Sequence, residues 1–213
     1  MSKLLSVTMA GLIVLTIGVG ARAADDAPAA AEGEPLAVGQ ALPQFVTIDD
    51  RGEPWKSNEH VGRKVVVFYF YPGDFTGGCV VQAQAFREGL KTLEALDIEV
   101  VGVSGDQAAT HELFKKSHEL KHTLLADPEG ILAAQLGIPV RRTENPAVVR
   151  AVDLNRKPLL DEQGQPITVE RKVTYPRWTA IVDREGKLVS KRTQVNPSTD
   201  ADDVRKLVEA LPK

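Results

Sequence analysis

The stretch YPGDFTGGC, residues 71–79, ends on Cys79, the single cysteine of the 213-residue chain. A thiolate is a strong nucleophile, so a thiol placed behind two glycines and ahead of a helical pattern is a candidate for covalent or redox chemistry. In the first turn of a helix a side chain faces unpaired backbone N–H groups and the positive end of the helix dipole. Gly77 and Gly78 allow close backbone approach, and the Thr76 hydroxyl is within reach of the sulfur across a tight turn. Magnitude limits what the helix can do alone. Lowering a thiol's pKa by ~2.5 units takes ~3.4 kcal/mol. A helix terminus supplies ~0.3–1 kcal/mol, rising to ~2 when partly buried. A reactive thiol here therefore requires an Arg or Lys brought in from elsewhere in the chain. The competing reading is a buried, inert cysteine.

A second pattern invites different chemistry. His118-Glu119-Leu120-Lys121-His122 matches H-E-x-x-H, in which two histidines one helical turn apart bind zinc and the Glu acts as base. Its context argues for a solvated helix end instead. Thr123-Leu124-Leu125 reads as a strand, so the helix ends before the second histidine, and no histidine follows to complete a ligand set. His60 and His111 have no partners in sequence and read as surface residues. Trp55 reads as packing in an N-terminal hairpin, and Trp178 is a candidate wall of the thiol pocket.

These groups need a frame. Residues 65–71, VVVFYFY, form a continuous β-branched and aromatic run, as expected of a central strand buried on both faces. A helical pattern follows over 78–96, then a strand over 99–103, a helix over 107–120, a short strand over 122–125 and a short helix over 131–136. Strands over 179–182 and 187–195 flank the turn 183–186. A closing helix spans 200–211, with Ser198 or Asp200 as its cap. Alternating strands and helices closed by a hairpin argue an α/β fold with a mixed sheet. Residues 141–174 are too long for a structureless connection. The alternation over 148–154 and 167–173, around the turn 161–164, predicts an inserted hairpin. That hairpin is either surface decoration or a contact for a partner or a second copy.

The N-terminus reads as an export signal: Lys3, an apolar run over 9–19, and Ala21-Arg22-Ala23 as the cleavage site. Cleavage after Ala23 would place the protein in the periplasm or outside the cell. An uncleaved anchor is the competing reading. Residues 24–36, rich in Ala, Pro and acids, read as a flexible tether, leaving one domain over 37–213. Loss of Lys3 and Arg22 takes the formal charge from −3 to −5, which leaves no basic footprint for nucleic acid. A lone cysteine permits no internal disulfide.

Pro72, Thr76 and Cys79 stand in the spacing P-x-x-x-T-x-x-C, which resembles the peroxiredoxin active-site motif. The segments 65–106 and 112–138 resemble the Q-type, bacterioferritin-comigratory branch, and the likeness extends over about 37–140 and 173–211. The resemblance implies a thioredoxin-like fold, no cofactor and no metal. It implies reduction of a peroxide by Cys79 through a sulfenic acid, with an external thiol or thioredoxin-like protein as reductant. Thr76 would bond the sulfur and the attacked oxygen, Pro72 would shield the site, Arg177 would supply the cation, and Gln82 would orient Arg177. Two positions depart from the branch. Gly77 stands where Pro is usual, and Gln84 stands where many members carry a resolving cysteine. A one-cysteine enzyme is the implied result, with homodimer formation left open. The alternative is a thioredoxin-fold binding module without peroxidase activity.

Overall fold

The computed structural model describes residues 35–211. The expected export signal and nearly all of the tether lie outside the described residues. The tether's last residue does not behave as one: Leu36 is buried, and its N–H donates to the Gln135 carbonyl. Leu36 is apolar and follows the acidic run, so it is drawn into the core.

Seven strands form one sheet: β1 (Val46–Asp49), β2 (Pro54–Lys56), β3 (Val65–Phe70), β4 (Ile98–Ser104), β5 (Thr123–Ala126), β8 (Trp178–Val182) and β9 (Leu188–Arg192). Their order is β2-β1-β5-β4-β3-β8-β9. β3, β4 and β5 are parallel, while β1, β2, β8 and β9 join antiparallel. The helices are α1 (Gly77–Ala95), α2 (Ala108–Ser117), α3 (Ile131–Gln135) and α4 (Asp200–Glu209). This is the mixed sheet flanked by helices that the element order predicts.

The run VVVFYFY is central because every residue of it is buried. Side chains alternate across a strand, so Val65, Val67, Tyr69 and Tyr71 join one core with α1 and α4. Val66, Phe68 and Phe70 join a second core with α3 and Trp55. On the first face α1 lays down Ala83, Phe86, Leu90 and Leu93, and Phe86 stacks on Tyr69 with ring centroids 4.6 Å apart. Trp55 sits in the β1–β2 hairpin, stacked on Phe45.

Residues 141–174 hold a second, two-stranded sheet of β6 (Arg141–Arg150) and β7 (Thr168–Thr174). Their tip is built from tight turns in which the Asp153 and Asp161 carboxylates accept backbone N–H bonds. This arm is not mere decoration. Ala151, Val169, Arg171 and Val173 are buried, and the Gly105 backbone lies close against the Val173 carbonyl.

Candidate active site

β3 ends at Phe70, and the chain turns through Pro72 and Gly73 into α1. Thr76 is the N-cap residue, and its carbonyl accepts from the N–H groups of Cys79 and Val80. Gly77 and Gly78 thereby open the first turn, where N–H groups have no partner within the helix. Cys79 follows on the inner face, 1 % exposed.

The cation required by the thiol comes from the far end of the chain. Arg177 Nη2 lies 3.4 Å from Cys79 Sγ. It stands just before β8, which pairs antiparallel with β3. Alternation on β8 sends Arg177 and Thr179 to the α1 face. Trp178, opposite Phe70, packs with the other core. Trp178 therefore does not wall the thiol pocket, because one residue of register puts it across the sheet. Gly78 lies beneath the guanidinium, where a Cβ would stand 3.1 Å from Arg177 Nη2 and crowd it by a few tenths of an ångström.

Gln82, one turn after Cys79, accepts from Arg177 Nη1 through Oε1. Its Nε2 donates to Asp200 Oδ2 at 2.7 Å, which fixes which end of the amide faces the arginine. Asp200 also accepts from Thr179 Oγ1 at 2.7 Å and from Arg192 Nη1 at 2.6 Å. Burial raises the Asp200 pKa, and the Thr179, Gln82 and Arg192 bonds work against that rise. The sequence treats Asp200 as a candidate helix cap. In the fold Thr199 occupies that position, and Asp200 points inward with its residue fully buried. The missed signal was sequential: Asp200 is the acid that begins the apolar face of α4, alongside Ala201, Val204 and Val208.

Thr76 does not donate to the sulfur. Its hydroxyl donates to the Gly73 carbonyl at 3.0 Å instead. Pro72 is half-buried at the start of the loop. No atom within 4 Å would meet a Cβ at Gly77, so the position where proline is usual is open.

Beneath this loop lies a second buried network. Asp74 accepts from Tyr71 Oη at 2.8 Å and faces His111 Nδ1 at 2.9 Å, while its own N–H donates to Asp106 Oδ2 at 2.8 Å. His111 is thus wholly buried rather than on the surface, because Asp74 and the Leu125 carbonyl supply partners for both ring nitrogens. Burial works against its positive charge, but the Asp74 carboxylate outweighs it and the pKa is raised. His60 is partly covered, stacked on Trp55 and 2.8 Å from Glu99 Oε1.

The H-E-x-x-H pattern does not form a zinc face. α2 ends at Ser117, and Glu119 takes φ +54°, so the two histidines do not share a helix. His118 is buried against Phe114 and Phe75. His122 bonds Tyr69 Oη at 2.8 Å, and burial lowers its pKa to about 3.

The AhpC/TSA family model matches residues 38–191. Peroxiredoxin Q of the rice chloroplast (Oryza sativa subsp. japonica) is 43 % identical over 101 residues, 47 % of this chain and 46 % of the relative. The bcp peroxiredoxin of Coxiella burnetii is 33 % identical over 147 residues, 69 % of this chain and 96 % of the relative. The chain spans about half the length of the plant relatives it matches. Among solved structures, peroxidoxin BcpB of Mycobacterium tuberculosis superposes with a TM-score of 0.65 at 21 % identity, over 84 % of this chain and 99 % of that one. A PrxQ mutant of Xylella fastidiosa gives 0.65 at 18 % identity, over 84 % and 98 %. These structures share the fold. With a cysteine, an arginine and a glutamine gathered at the head of α1, and with the family profile covering most of the chain, the protein belongs to the AhpC/TSA family as a one-cysteine peroxiredoxin of the Q/bcp type.

Proposed function

We propose that the protein is a thiol peroxidase that reduces hydrogen peroxide or organic hydroperoxides. The observation that carries this reading is Arg177 Nη2 held 3.4 Å from the buried Cys79 Sγ. That is the cation the energetics of a reactive thiol require, delivered where the helix dipole also acts.

The thiolate attacks one peroxide oxygen, an S–O bond forms, and the O–O bond breaks. Hydroxide or alkoxide leaves, and Cys79 becomes a sulfenic acid. Charge spreads over both oxygens as the bond breaks, and Arg177 faces the sulfur where it develops, at the N-terminal end of the helix that begins with Gly77 and Gly78. The Thr76 hydroxyl donates to Gly73, so its oxygen serves as an acceptor toward the peroxide proton. With no second cysteine in the chain, the sulfenic acid returns to thiol only by an external thiol or a thioredoxin-like protein. Pairing of two copies belongs to the same proposal. So does export to the periplasm or beyond the cell with cleavage after Ala23, which the leader pattern supports.

The test is stopped-flow reaction with hydrogen peroxide, together with trapping of the sulfenic acid. Cys79→Ser removes both signals. If the thiol oxidises no faster than a small free thiol, the peroxidase reading falls and the binding module takes its place.

A further inference from the structure

The arm of residues 141–174 reaches the nucleophile loop through one buried charge. Arg171, on β7, is 4 % exposed. Its Nε donates to Asp106 Oδ1 at 2.9 Å, and its Nη2 donates to the Asp74 carbonyl at 2.7 Å. The guanidinium lies flat against Gly73, where a Cβ would stand 2.1 Å from it. Gly73 has φ +154° and Phe75 has φ +59°, a left-handed conformation that a bulky residue holds only when its surroundings impose it. Asp106 completes the hold by accepting the Asp74 N–H. Leu159 and Ile167 of the arm pack against the core that contains Phe75 and Cys79.

We propose that the arm is a clamp on the nucleophile loop, with Arg171 as its positioning residue, and that the closed site it maintains is recycled by a small thiol rather than by a protein. The proposal rests on the peroxidase reading. Opening residues 73–78 breaks both Arg171 bonds and the Asp74–Asp106 bond in a buried setting. Cys79 is 1 % exposed, so the sulfur is recessed while the loop stays shut. A disulfide to a protein cysteine needs the two Cα atoms within about 4.4–6.8 Å, which a folded partner cannot reach without opening the loop. A small thiol needs far less clearance. Its sulfur attacks the sulfenic sulfur, the S–O bond breaks, and the hydroxide leaves as water with the thiol's proton. A second small thiol attacks the outer sulfur of the mixed disulfide. It releases the Cys79 thiol and a small disulfide, a two-electron reduction overall.

Two measurements test this. Amide exchange by NMR reads the Asp74 N–H, which is expected to exchange only with global unfolding. Recycling of peroxide-oxidised protein is compared for dithiothreitol and for a thioredoxin at matched thiol concentration, and dithiothreitol is expected to be faster by about tenfold or more. The charge-balanced variant Arg171→Met with Asp106→Asn is expected to let Asp74 exchange by local opening and to narrow that ratio by about tenfold. Local exchange of Asp74 in the unaltered protein overturns the proposal, as does thioredoxin recycling as fast as dithiothreitol. A folded double variant with both readouts unchanged overturns it too. Should the variant fail to fold, exchange in the unaltered protein decides. Absence of any peroxide-driven sulfenic acid strikes the peroxidase reading and the recycling step with it, while the clamp is still decided by the exchange measurement, which needs no activity.

Discussion

Cys79 depends on a line of side chains drawn from three elements: Arg177 before β8, Gln82 on α1 and Asp200 at the head of α4. Each link has a consequence. Arg177→Met removes the charge facing the reacting oxygens, and kcat/KM for peroxide is expected to fall about 10²–10³-fold, the usual cost of one preorganised electrostatic partner. Gln82→Glu sets a second carboxylate against Asp200 Oδ2, where like charges so close cannot both stay ionised. One of the two must hold a proton, and where rising pH strips it the repelled oxygen at position 82 leaves Arg177 Nη1, so the peroxide rate is expected to drop about 10-fold or more. Adding Asp200→Asn restores a donor facing position 82, so the double variant is expected to regain most of that rate. A merely structural loss at position 82 would not be rescued by a second change at 200. Stopped-flow kinetics on the three variants checks the order.

At the scale of elements, α1 carries the nucleophile because its opposite turns are anchored. Phe86 is fully buried and stacks on Tyr69 of β3, and Leu90 and Leu93 continue the same stripe. Phe86→Ala is expected to cost about 3–5 kcal/mol, read from urea denaturation, because the cavity lies between a stiff strand and a helix that cannot collapse into it. The pairing of β8 with β3 is the second condition. It places Arg177 on the thiol's face by alternation, so a one-residue slip would exchange Arg177 for Trp178.

Over the whole molecule, three buried histidines tie stability to pH, His111 with one sign and His118 and His122 with the other. His111 has a raised pKa in the fold, so the stability it contributes is present below its unfolded value of about 6.5 and fades as pH rises through the folded one. His122 is held down to about 3, so it is neutral where the unfolded chain would bind a proton, and stability is lost as pH falls from 6.5 toward 3. Thermal unfolding followed across pH is expected to show both limbs. His122→Gln, which keeps an acceptor for Tyr69 Oη, is expected to flatten the acid limb, at most about 1.4 kcal/mol per pH unit. His111→Gln is expected to flatten the limb above neutrality instead.

Much of this was readable in one dimension. The continuous apolar run of β3, the alternation that predicts the arm, and the need for a distant cation all follow from local pattern and from the energetics of a thiolate. Tertiary structure alone decided the rest. Asp200 reads as a candidate cap until α4 packs on α1, His111 reads as a surface residue until Asp74 meets it, and nothing local singles out Arg171 within the hairpin. Each gains its role by burial beside a partner of opposite polarity far away in sequence. Local periodicity specifies which face of an element is apolar, but which buried charges meet is set by how elements pack.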